Sequence, residues 1–263
     1  MLGRRILAVA LVVAAAAMLA QAASAAHVSK TMVFCSDISY PPEEMVIKGK
    51  TVGSDIDIAT EVAKRLGMSA KFQNTGFDGI VAALLSNKCD AIISGMNDTP
   101  DRRKSIAFAD YLSVGQSLIG KKGNPLKING PMDVCGRAAG AQVATTNLET
   151  LGKFDKQCKA AGKKGIKIIP FKEDPLGVIA LKTGHIDVYE SDSPPAVWYT
   201  TQDKSLQIVG KPITPQPVGI AVNPKNTALK AKVVKAIDAM YKDGKMATIL
   251  KKWNMTEFAL KGK

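Results

Sequence analysis

Three kinds of side chain in this sequence could bind a small charged molecule without any covalent step. Arg102 has a planar guanidinium that suits two-point pairing with a carboxylate. Asp192 has a carboxylate for an ammonium group, and Phe77 has an aromatic face for an aliphatic or cationic side chain. Each also has an ordinary structural alternative: a surface arginine beside Arg103, an aspartate in a turn, and an aromatic ring in the core.

Histidine-dependent catalysis and structural zinc are disfavoured by the residue counts. The chain has 2 histidines, His27 and His185. Neither lies in an H-x-x-x-H or C-x-x-C setting, which argues against a zinc site. A serine or cysteine nucleophile would have to use His185 as its base, so nucleophilic catalysis is disfavoured as well. We therefore predict no catalytic residue, no metal and no cofactor.

The composition is that of an ordinary globular protein. Of the 263 residues, 46% are hydrophobic and 22% are charged, which disfavours disorder, collagen-like repeats and coiled coil. The formal net charge is +13, but the basic residues are scattered, without an Arg-rich or aromatic-basic cluster. We therefore predict a solvated basic surface and no nucleic-acid partner.

The first 25 residues are typical of a secretory signal peptide. Arg4 and Arg5 precede an apolar run at 6–20, and small residues follow at 23–25. The run is shorter than the roughly 20 residues that span a bilayer, although an uncleaved membrane anchor stays an alternative. We therefore predict cleavage of residues 1–25 and a soluble protein in the periplasm.

Export makes disulfides permissible for the 4 cysteines. Cys135 and Cys158 lie in polar, Gly-rich surroundings, and we predict a disulfide between them. Cys35 ends one predicted strand and Cys89 begins another. In neighbouring parallel strands those levels differ by several residues, so we predict two buried free thiols there rather than a second disulfide.

The first half of the chain alternates short apolar runs with segments of helical period. Predicted strands cover residues 32–35, 70–73 and 90–94, and predicted helices cover residues 55–66 and 77–85. The second helix is predicted from apolar residues at i, i+3, i+4, i+7 and i+8, starting at Phe77. This order predicts parallel strands with helices on both faces.

A second, similar unit begins near residue 135. Predicted strands cover residues 137–141, 166–169, 186–189 and 218–222, and predicted helices cover 146–157, 175–182, 226–242 and 245–253. We predict an α/β protein of two lobes, each with a doubly wound mixed sheet, joined by a two-strand hinge.

The lobe boundaries follow from this order of elements. Lobe I should comprise residues 26–114 and 219–263, and lobe II residues 115–218. The chain should cross between the lobes near residues 112–119 and 216–220. A hinge of this kind places the ligand site in the cleft between the lobes.

Several short motifs occur in a fixed order along the chain. They are D-I-S-Y-P-P at 37–42, G-S-D-I-D-I-A at 53–59, F-D-G-I at 77–80, C-D-A-I at 89–92, T-P-D-R-R at 99–103, F-A-D-Y at 108–111, T-T-N at 145–147, G-H-I-D at 184–187 and K-W at 252–253. In these motifs the sequence resembles periplasmic solute-binding proteins of the polar amino-acid type, which serve ABC importers. The resemblance spans essentially the whole chain after the signal peptide and implies the type II periplasmic binding protein fold.

The resemblance implies how a ligand carboxylate would be bound. Arg102 matches the carboxylate-binding arginine of the family. Backbone amides near Asn97, Thr145 and Thr146 would add donors, with Thr146 beginning a helix. The two threonines could also serve simply as an N-cap pair, and both interpretations can hold together.

The resemblance also implies how the rest of a ligand would be bound. Asp192 matches the acidic residue that receives the α-ammonium, and Gly95, like Asn97, matches a position that orients it. Phe77 and Tyr40 match the aromatic pair around the ligand side chain. Asp37 matches the carboxylate that meets the distal cation in basic amino-acid binders. Members with other ligands carry that aspartate too, so it only favours a cationic or polar ligand.

Several positions depart from the family pattern and leave the ligand's identity open. Asp98 stands at a usually apolar place and would repel a ligand carboxylate if it faced the cleft. Asn97 replaces a smaller serine or threonine. Glu43 and Glu44 follow the Pro-Pro pair where an aromatic residue often lies, and Ser54 replaces an aromatic residue.

We predict an extracytoplasmic receptor of an ABC importer. It should bind a polar amino acid, basic ones included, or a similar zwitterion by hinge closure. Its partners should be that ligand and an ABC permease, and we expect a monomer. Two alternatives stay open: a dehydratase-like enzyme on the same scaffold, with Asp192, Glu190 or Glu173 as the acid or base, and a ligand-sensing partner module.

Overall fold

The computed structural model of the protein describes residues 30–262. The predicted signal peptide therefore lies outside the described residues. Within them, no helix is both long enough and apolar enough to cross a membrane.

Most of the predicted strands and helices are present in the described residues. The strands are β1 Lys30–Ser36, β2 Met45–Ile47, β3 Lys50–Val52, β4 Met68–Asn74, β5 Ala91–Ile92, β6 Ala107–Lys121, β7 Ala138–Gln142, β8 Lys167–Phe171, β9 Val188–Asp192 and β10 Leu206–Val222. The α-helices are α1 Ser54–Arg65, α2 Ile80–Leu85, α3 Thr146–Ala160, α4 Asp174–Thr183, α5 Ser193–Gln202, α6 Thr227–Lys242 and α7 Lys245–Lys252. The helix predicted from Phe77 begins as a 3₁₀ turn, Phe77–Gly79, before α2.

Eight of the strands form one mixed sheet. Their order is β4-β1-β5-β10-β6-β9-β7-β8, and β2 and β3 form a separate hairpin. β1 is parallel to β5, and β7 is parallel to both β8 and β9. β6 and β10 are antiparallel to each other. The predicted mixed α/β architecture is confirmed, with the addition that the two predicted sheets are continuous through β6 and β10.

The long strands β6 and β10 carry the chain from one half of the sheet to the other. β10 pairs with β5 at residues 221–222, and β6 pairs with β9 at residues 116–119. Between these points the β6–β10 register shifts, at Val209/Ile213, Ile213/Gln216 and Val218/Gly219. Residues 112–119 and 216–220, predicted as the crossings between the lobes, belong to these two strands, and the crossings themselves stay a prediction. The bounds of the two lobes stay a prediction.

Each half of the sheet has its own hydrophobic cores. In the first half, α1 buries Ile58, Ala59 and Val62 completely because their spacing places them on one helical face. They pack with residues of β1, β6, β10 and the C-terminal helices. In the second half, Leu151 and Phe154 of α3 pack on strands β7 and β9. These cores fix the strand ends between which the site lies.

Two disulfides are present, so the prediction for Cys135–Cys158 is confirmed and the prediction of free thiols at Cys35 and Cys89 is wrong. Cys35 is in register with Ile92, and in an extended strand Cys89 would lie about 10 Å from that level. The chain instead turns at residues 86–88, where Asn87 has φ 58°. The turn brings the Cα atoms of Cys35 and Cys89 to 5.7 Å, within bonding range.

Alkylation under denaturing conditions should therefore add no label to the exported, purified protein without reductant. After reduction, all 4 cysteines should be labelled. Intact-mass spectrometry distinguishes this result from labelling at two positions, which would restore the free-thiol prediction. The Cys35→Ala/Cys89→Ala double variant should have a free energy of unfolding lower by about 4 kcal/mol, because the bond closes a long loop.

Candidate functional site

A cavity of about 270 Å³, counted with the part that is open to solvent, lies where most of the predicted site residues come together. It is lined by Asp37, Tyr40, Phe77, Ser94, Gly95, Asn97, Gln142, Thr145, Asn147 and Asp192. Arg102 and Thr146 do not line it, but both contact Asn97, which does. The structure thus brings the predicted residues into one region.

The sheet topology explains why these residues meet. Asp37 follows β1, Ser94 and Gly95 follow β5, and Asp192 ends β9. All three strands present their carboxyl ends to the cavity, and the crevice outside the carboxyl ends of strands is where open α/β sheets bind ligands. Gln142, at the end of β7, occupies the equivalent place in the second half of the sheet.

Asp37 is buried and accepts hydrogen bonds from neutral donors. Its Oδ1 accepts from Ser39 Oγ at 2.8 Å. Its Oδ2 accepts from the Phe77 backbone N–H at 3.2 Å and from Gln142 Nε2 at 2.7 Å. This arrangement stabilises a carboxylate in place and leaves its negative charge to attract a cation in the cavity.

Asp192 is also buried, and its burial makes the ionised form less favourable than it is for an aspartate in water. Burial raises the pKa of Asp192 to about 7, against the hydrogen bonds with Asn147 and Tyr40 and the charge of Arg102, which lower it. Asn147 Nδ2 donates to Oδ1 at 3.1 Å, and the Asp192 backbone N–H donates to Tyr40 Oη at 3.3 Å. An ammonium beside Asp192 would therefore favour its ionised form.

Arg102 connects the two halves of the protein next to the cavity. Its Nη1 donates to the Asn97 carbonyl and its Nη2 to the Ala144 carbonyl, both at 3.0 Å. The guanidinium carbon lies 5.4 Å from the centroid of the Phe77 ring, within cation–π range. Burial lowers the pKa of Arg102, but a guanidinium stays charged in proteins. Of its five N–H groups, two donate to these carbonyls, which leaves donors for a ligand oxygen.

The start of α3 has the predicted N-cap at Thr145. Thr145 Oγ1 accepts from the Leu148 backbone N–H at 3.2 Å and donates to the Gln142 carbonyl at 2.6 Å. Thr146 Oγ1 donates to Asn97 Oδ1 at 2.7 Å. The threonine hydroxyls are therefore occupied within the protein, and what this helix end can offer a ligand is its backbone N–H groups.

Gly95 is required where it stands for two reasons. Its φ is 51°, a left-handed conformation that favours glycine, and an added Cβ would lie 2.9 Å from Tyr40 Cε1. Its backbone N–H donates to Asp55 Oδ2 at 2.9 Å. Gly95 therefore lets the Tyr40 ring pack directly against the chain after β5.

A second layer of buried carboxyl groups supports this wall of the cavity. Tyr111 Oη lies 2.7 Å from both carboxyl oxygens of Asp55, and burial raises the pKa of Asp55 to about 6. Ser94 Oγ donates to Glu44 Oε1 at 2.7 Å and accepts from the Asp37 backbone N–H at 2.9 Å. Glu44, whose pKa burial also raises, thus positions the segment that carries Asp37.

Asp98 does not line the cavity, so the repulsion of a ligand carboxylate considered for it does not arise there. Arg103 Nε and Nη2 donate to the two oxygens of Asp98, both at 2.6 Å. The Asp98 backbone N–H donates to the Pro217 carbonyl at 2.8 Å. Asp98, which departs from the family pattern, is therefore neutralised by the adjacent Arg103.

Sequence reasoning missed three residues that line the cavity: Ser94, Gln142 and Asn147. A usable signal existed for each of them. Ser94 and Gln142 stand at the carboxyl ends of predicted strands, as Asp192 does, and Asn147 follows the predicted helix start. Within residues 30–262 no group of histidine, cysteine and acidic residues is arranged to hold a metal ion.

Comparison with known proteins identifies relatives across nearly the whole described chain. The family model for bacterial extracellular solute-binding proteins, family 3, matches residues 32–256. The putative ABC transporter arginine-binding protein 2 of Escherichia coli K12 is 27% identical over 245 residues, which are 90% of this chain and 96% of that protein.

Solved structures of amino-acid-binding proteins are also similar to this chain over most of its length. The structure of an ancestral arginine-binding protein bound to arginine has a TM-score of 0.79 and 35% identity, covering 86% of this chain and 99% of that one. The ancestral amino-acid-binding protein AncCDT-1, a precursor of cyclohexadienyl dehydratase, has a TM-score of 0.78 and 30% identity, covering 85% of this chain and 95% of that one. These neighbours are two-lobed binding proteins, which confirms the predicted fold class.

The buried Asp55 gives a testable pH dependence. In the unfolded chain Asp55 ionises near pH 4, whereas the folded protein holds the proton up to about pH 6. Stability is therefore lost as pH rises from 4 to 6, by about 3 kcal/mol from this residue. Between pH 4 and pH 6, the free energy of unfolding of the Asp55→Asn variant should fall by about 3 kcal/mol less than that of the wild type. Urea unfolding at each pH measures this difference.

Asp203 is the matched control because its pKa is shifted the other way. A hydrogen bond from Lys182 holds the pKa of Asp203 well below its usual range. The Asp203→Asn variant should therefore alter the profile only below about pH 4, where the wild type loses this contribution on protonation. Identical pH 4–6 slopes for the wild type and Asp55→Asn would contradict the assignment for Asp55.

Proposed function

The chain belongs to the bacterial extracellular solute-binding proteins of family 3, and from this premise we propose that its cavity binds an amino acid with a positively charged side chain, arginine above all. The family's members are extracytoplasmic binding proteins of ABC importers, and the relatives of this chain bind amino acids. The charges at the cavity support the narrower choice of a basic ligand.

The balance of charges at the cavity is the observation that carries the proposal. Among the lining residues, Asp37 and Asp192 are the charged ones, and both are at most 4% exposed. Arg102 is the cation next to them. A neutral amino acid has one ammonium and one carboxylate, so it would leave one aspartate without a cation. A basic amino acid has two cations and one carboxylate, which match these three residues, and buried charges require such pairing.

The roles follow from the surroundings of each residue. Arg102 would bind the α-carboxylate together with the N–H groups at the start of α3. Asp192, whose ionised form gains most from a nearby cation, would bind the α-ammonium. Asp37 would bind the distal cation, and Phe77 and Tyr40 would contact the aliphatic part of the side chain. The E. coli relative is named as an arginine-binding protein, which agrees with this choice.

The mechanism proposed is closure of the two lobes about β6 and β10, with lobe I at 26–114 and 219–263 and lobe II at 115–218. A ligand that binds Asp37 and Asp192 would contact both lobes, and it would favour closure through its higher affinity for the closed state. Four hydrogen bonds around the cavity already join these lobes: Arg102 to Ala144, Thr146 to Asn97, Gln142 to Asp37, and the Asp192 N–H to Tyr40.

The closed protein would be recognised by an ABC permease, after export to the periplasm by the signal peptide, and it would act as a monomer.

A dehydratase activity is less supported than binding. Of the acids considered for it, Glu173 is exposed, Glu190 is buried outside the cavity lining, and Asp192 alone lines the cavity. We therefore assign Asp192 to binding of the ligand ammonium rather than to catalysis.

The neighbouring arginines provide a matched test of carboxylate binding. Arg102→Ala should reduce arginine affinity at least about 100-fold, because the ligand carboxylate loses the cation next to the cavity. Arg103→Ala should change that affinity less than about threefold, because Arg103 pairs with Asp98 outside the cavity. Isothermal titration calorimetry on the refolded, ligand-stripped protein measures both. Equal losses for the two variants would refute the assignment of Arg102.

Arginine and citrulline test the distal cation, because they have nearly the same shape and differ in charge. The wild type should bind arginine at least about tenfold more tightly than citrulline. Asp37→Asn should remove most of that preference by weakening arginine binding, with citrulline affected little. A wild-type protein that binds citrulline as well as arginine would overturn the proposal of a basic ligand.

A further inference from the structure

We propose that Gln142 determines which cationic group the cavity accepts, because it forms with Asp37 a pair of acceptors that fits a guanidinium better than an ammonium. This inference rests on the proposed function, since it concerns the distal end of a basic ligand. It assigns a specificity-determining role to a residue that the sequence did not single out.

The orientation of the Gln142 amide is fixed by its partners. Nε2 lies 2.7 Å from Asp37 Oδ2 and 3.1 Å from the Lys172 carbonyl oxygen. A carbonyl oxygen can only accept, and an ionised carboxylate can only accept, so the NH₂ end must face both groups. Both N–H donors are then used. The Oε1 end is the part of the amide left to meet a ligand in the cavity that Gln142 lines.

The backbone of Gln142 is held as firmly as its amide. Gln142 is the last residue of β7, pairs with Phe171 of β8, and is 4% exposed. Its carbonyl accepts a hydrogen bond from the Thr145 hydroxyl at 2.6 Å. A side chain restrained at both ends loses little conformational entropy when a ligand binds, so its acceptor is preorganised.

Counting acceptor positions shows why two groups must cooperate. Asp37 Oδ2 already accepts two hydrogen bonds, from Phe77 and Gln142, and Oδ1 accepts one, from Ser39. A carboxylate oxygen has about two acceptor sites, so Asp37 retains one, on Oδ1. Gln142, which reaches Asp37 from the other half of the sheet and also lines the cavity, supplies a second acceptor in its Oε1. Together they present two separate acceptors rather than the two oxygens of one free carboxylate.

This separation favours a guanidinium over an ammonium. A guanidinium has five N–H donors spread over a rigid plane and can reach two acceptors at once, whereas an ammonium is a compact point charge. An ammonium that meets Asp37 would leave Gln142 Oε1 dependent on water or on a bent contact. We therefore expect the wild type to bind arginine at least about tenfold more tightly than lysine.

Gln142→Met tests the proposal, because methionine keeps the length of the side chain and removes the amide oxygen. Arginine affinity should fall about tenfold and lysine affinity by less than about threefold, so that the preference for arginine declines towards unity. Gln157→Met is the matched control: Gln157 lies on α3 in the same half of the sheet, is exposed, and does not line the cavity. Its arginine-to-lysine preference should equal that of the wild type.

Titration calorimetry of the three proteins with arginine, lysine and citrulline separates the outcomes. An arginine preference that survives Gln142→Met overturns the role of Gln142 while leaving the basic-ligand proposal intact. A wild type that binds lysine as tightly as arginine also overturns the role of Gln142. This measurement needs no variant, so a misfolded variant does not block the test. A wild type that binds none of the three overturns both proposals.

Discussion

The cost of burying carboxyl groups is the constraint on which the rest of this site depends. Asp37 and Asp192 lie in the cavity lining, and Asp55 and Asp174 lie behind it, all nearly inaccessible to water. Burial raises the pKa of both Asp55 and Asp174 to about 6. Hydrogen bonds from tyrosine, serine and backbone groups reduce this cost without cancelling the charge, and the proposed ligand cation would reduce it further.

The sheet places these carboxyl groups together although they are far apart in sequence. β1, β5, β7 and β9 end at the same crevice, and the long pair β6 and β10 holds the two halves of the sheet on either side of it. Because each side chain follows a strand end, small movements about β6 and β10 would change the distance between Asp37 and Asp192 without disturbing either core. In the proposed mechanism, binding and closure would be coupled by this sheet topology rather than by a flexible loop.

Hydrophobic periodicity and motif order predict most of the fold, but local turns cannot be predicted in the same way. The helix α5 is missed because Pro194 and Pro195 indicate a turn, although proline is tolerated in the first turn of a helix. The Cys35–Cys89 disulfide is missed because the prediction takes Cys89 as the start of a strand, whereas the chain turns just before it. The contact between Gln142 and Asp37 cannot be predicted, because nothing in the sequence reveals that the Gln142 amide reaches a residue 105 positions away.

The two adjacent arginines show how a departure from the family pattern can be tolerated at such a site. Asp98 adds a buried negative charge directly after Asn97, outside the residues that line the cavity. Arg103 neutralises it with two hydrogen bonds of 2.6 Å, from a side chain that is 61% exposed while that of Asp98 is 2% exposed. Arg102 turns the other way, towards Asn97 and Phe77. Asp98 thus has its counter-charge in Arg103, while the guanidinium of Arg102 donates to the backbone carbonyls of Asn97 and Ala144.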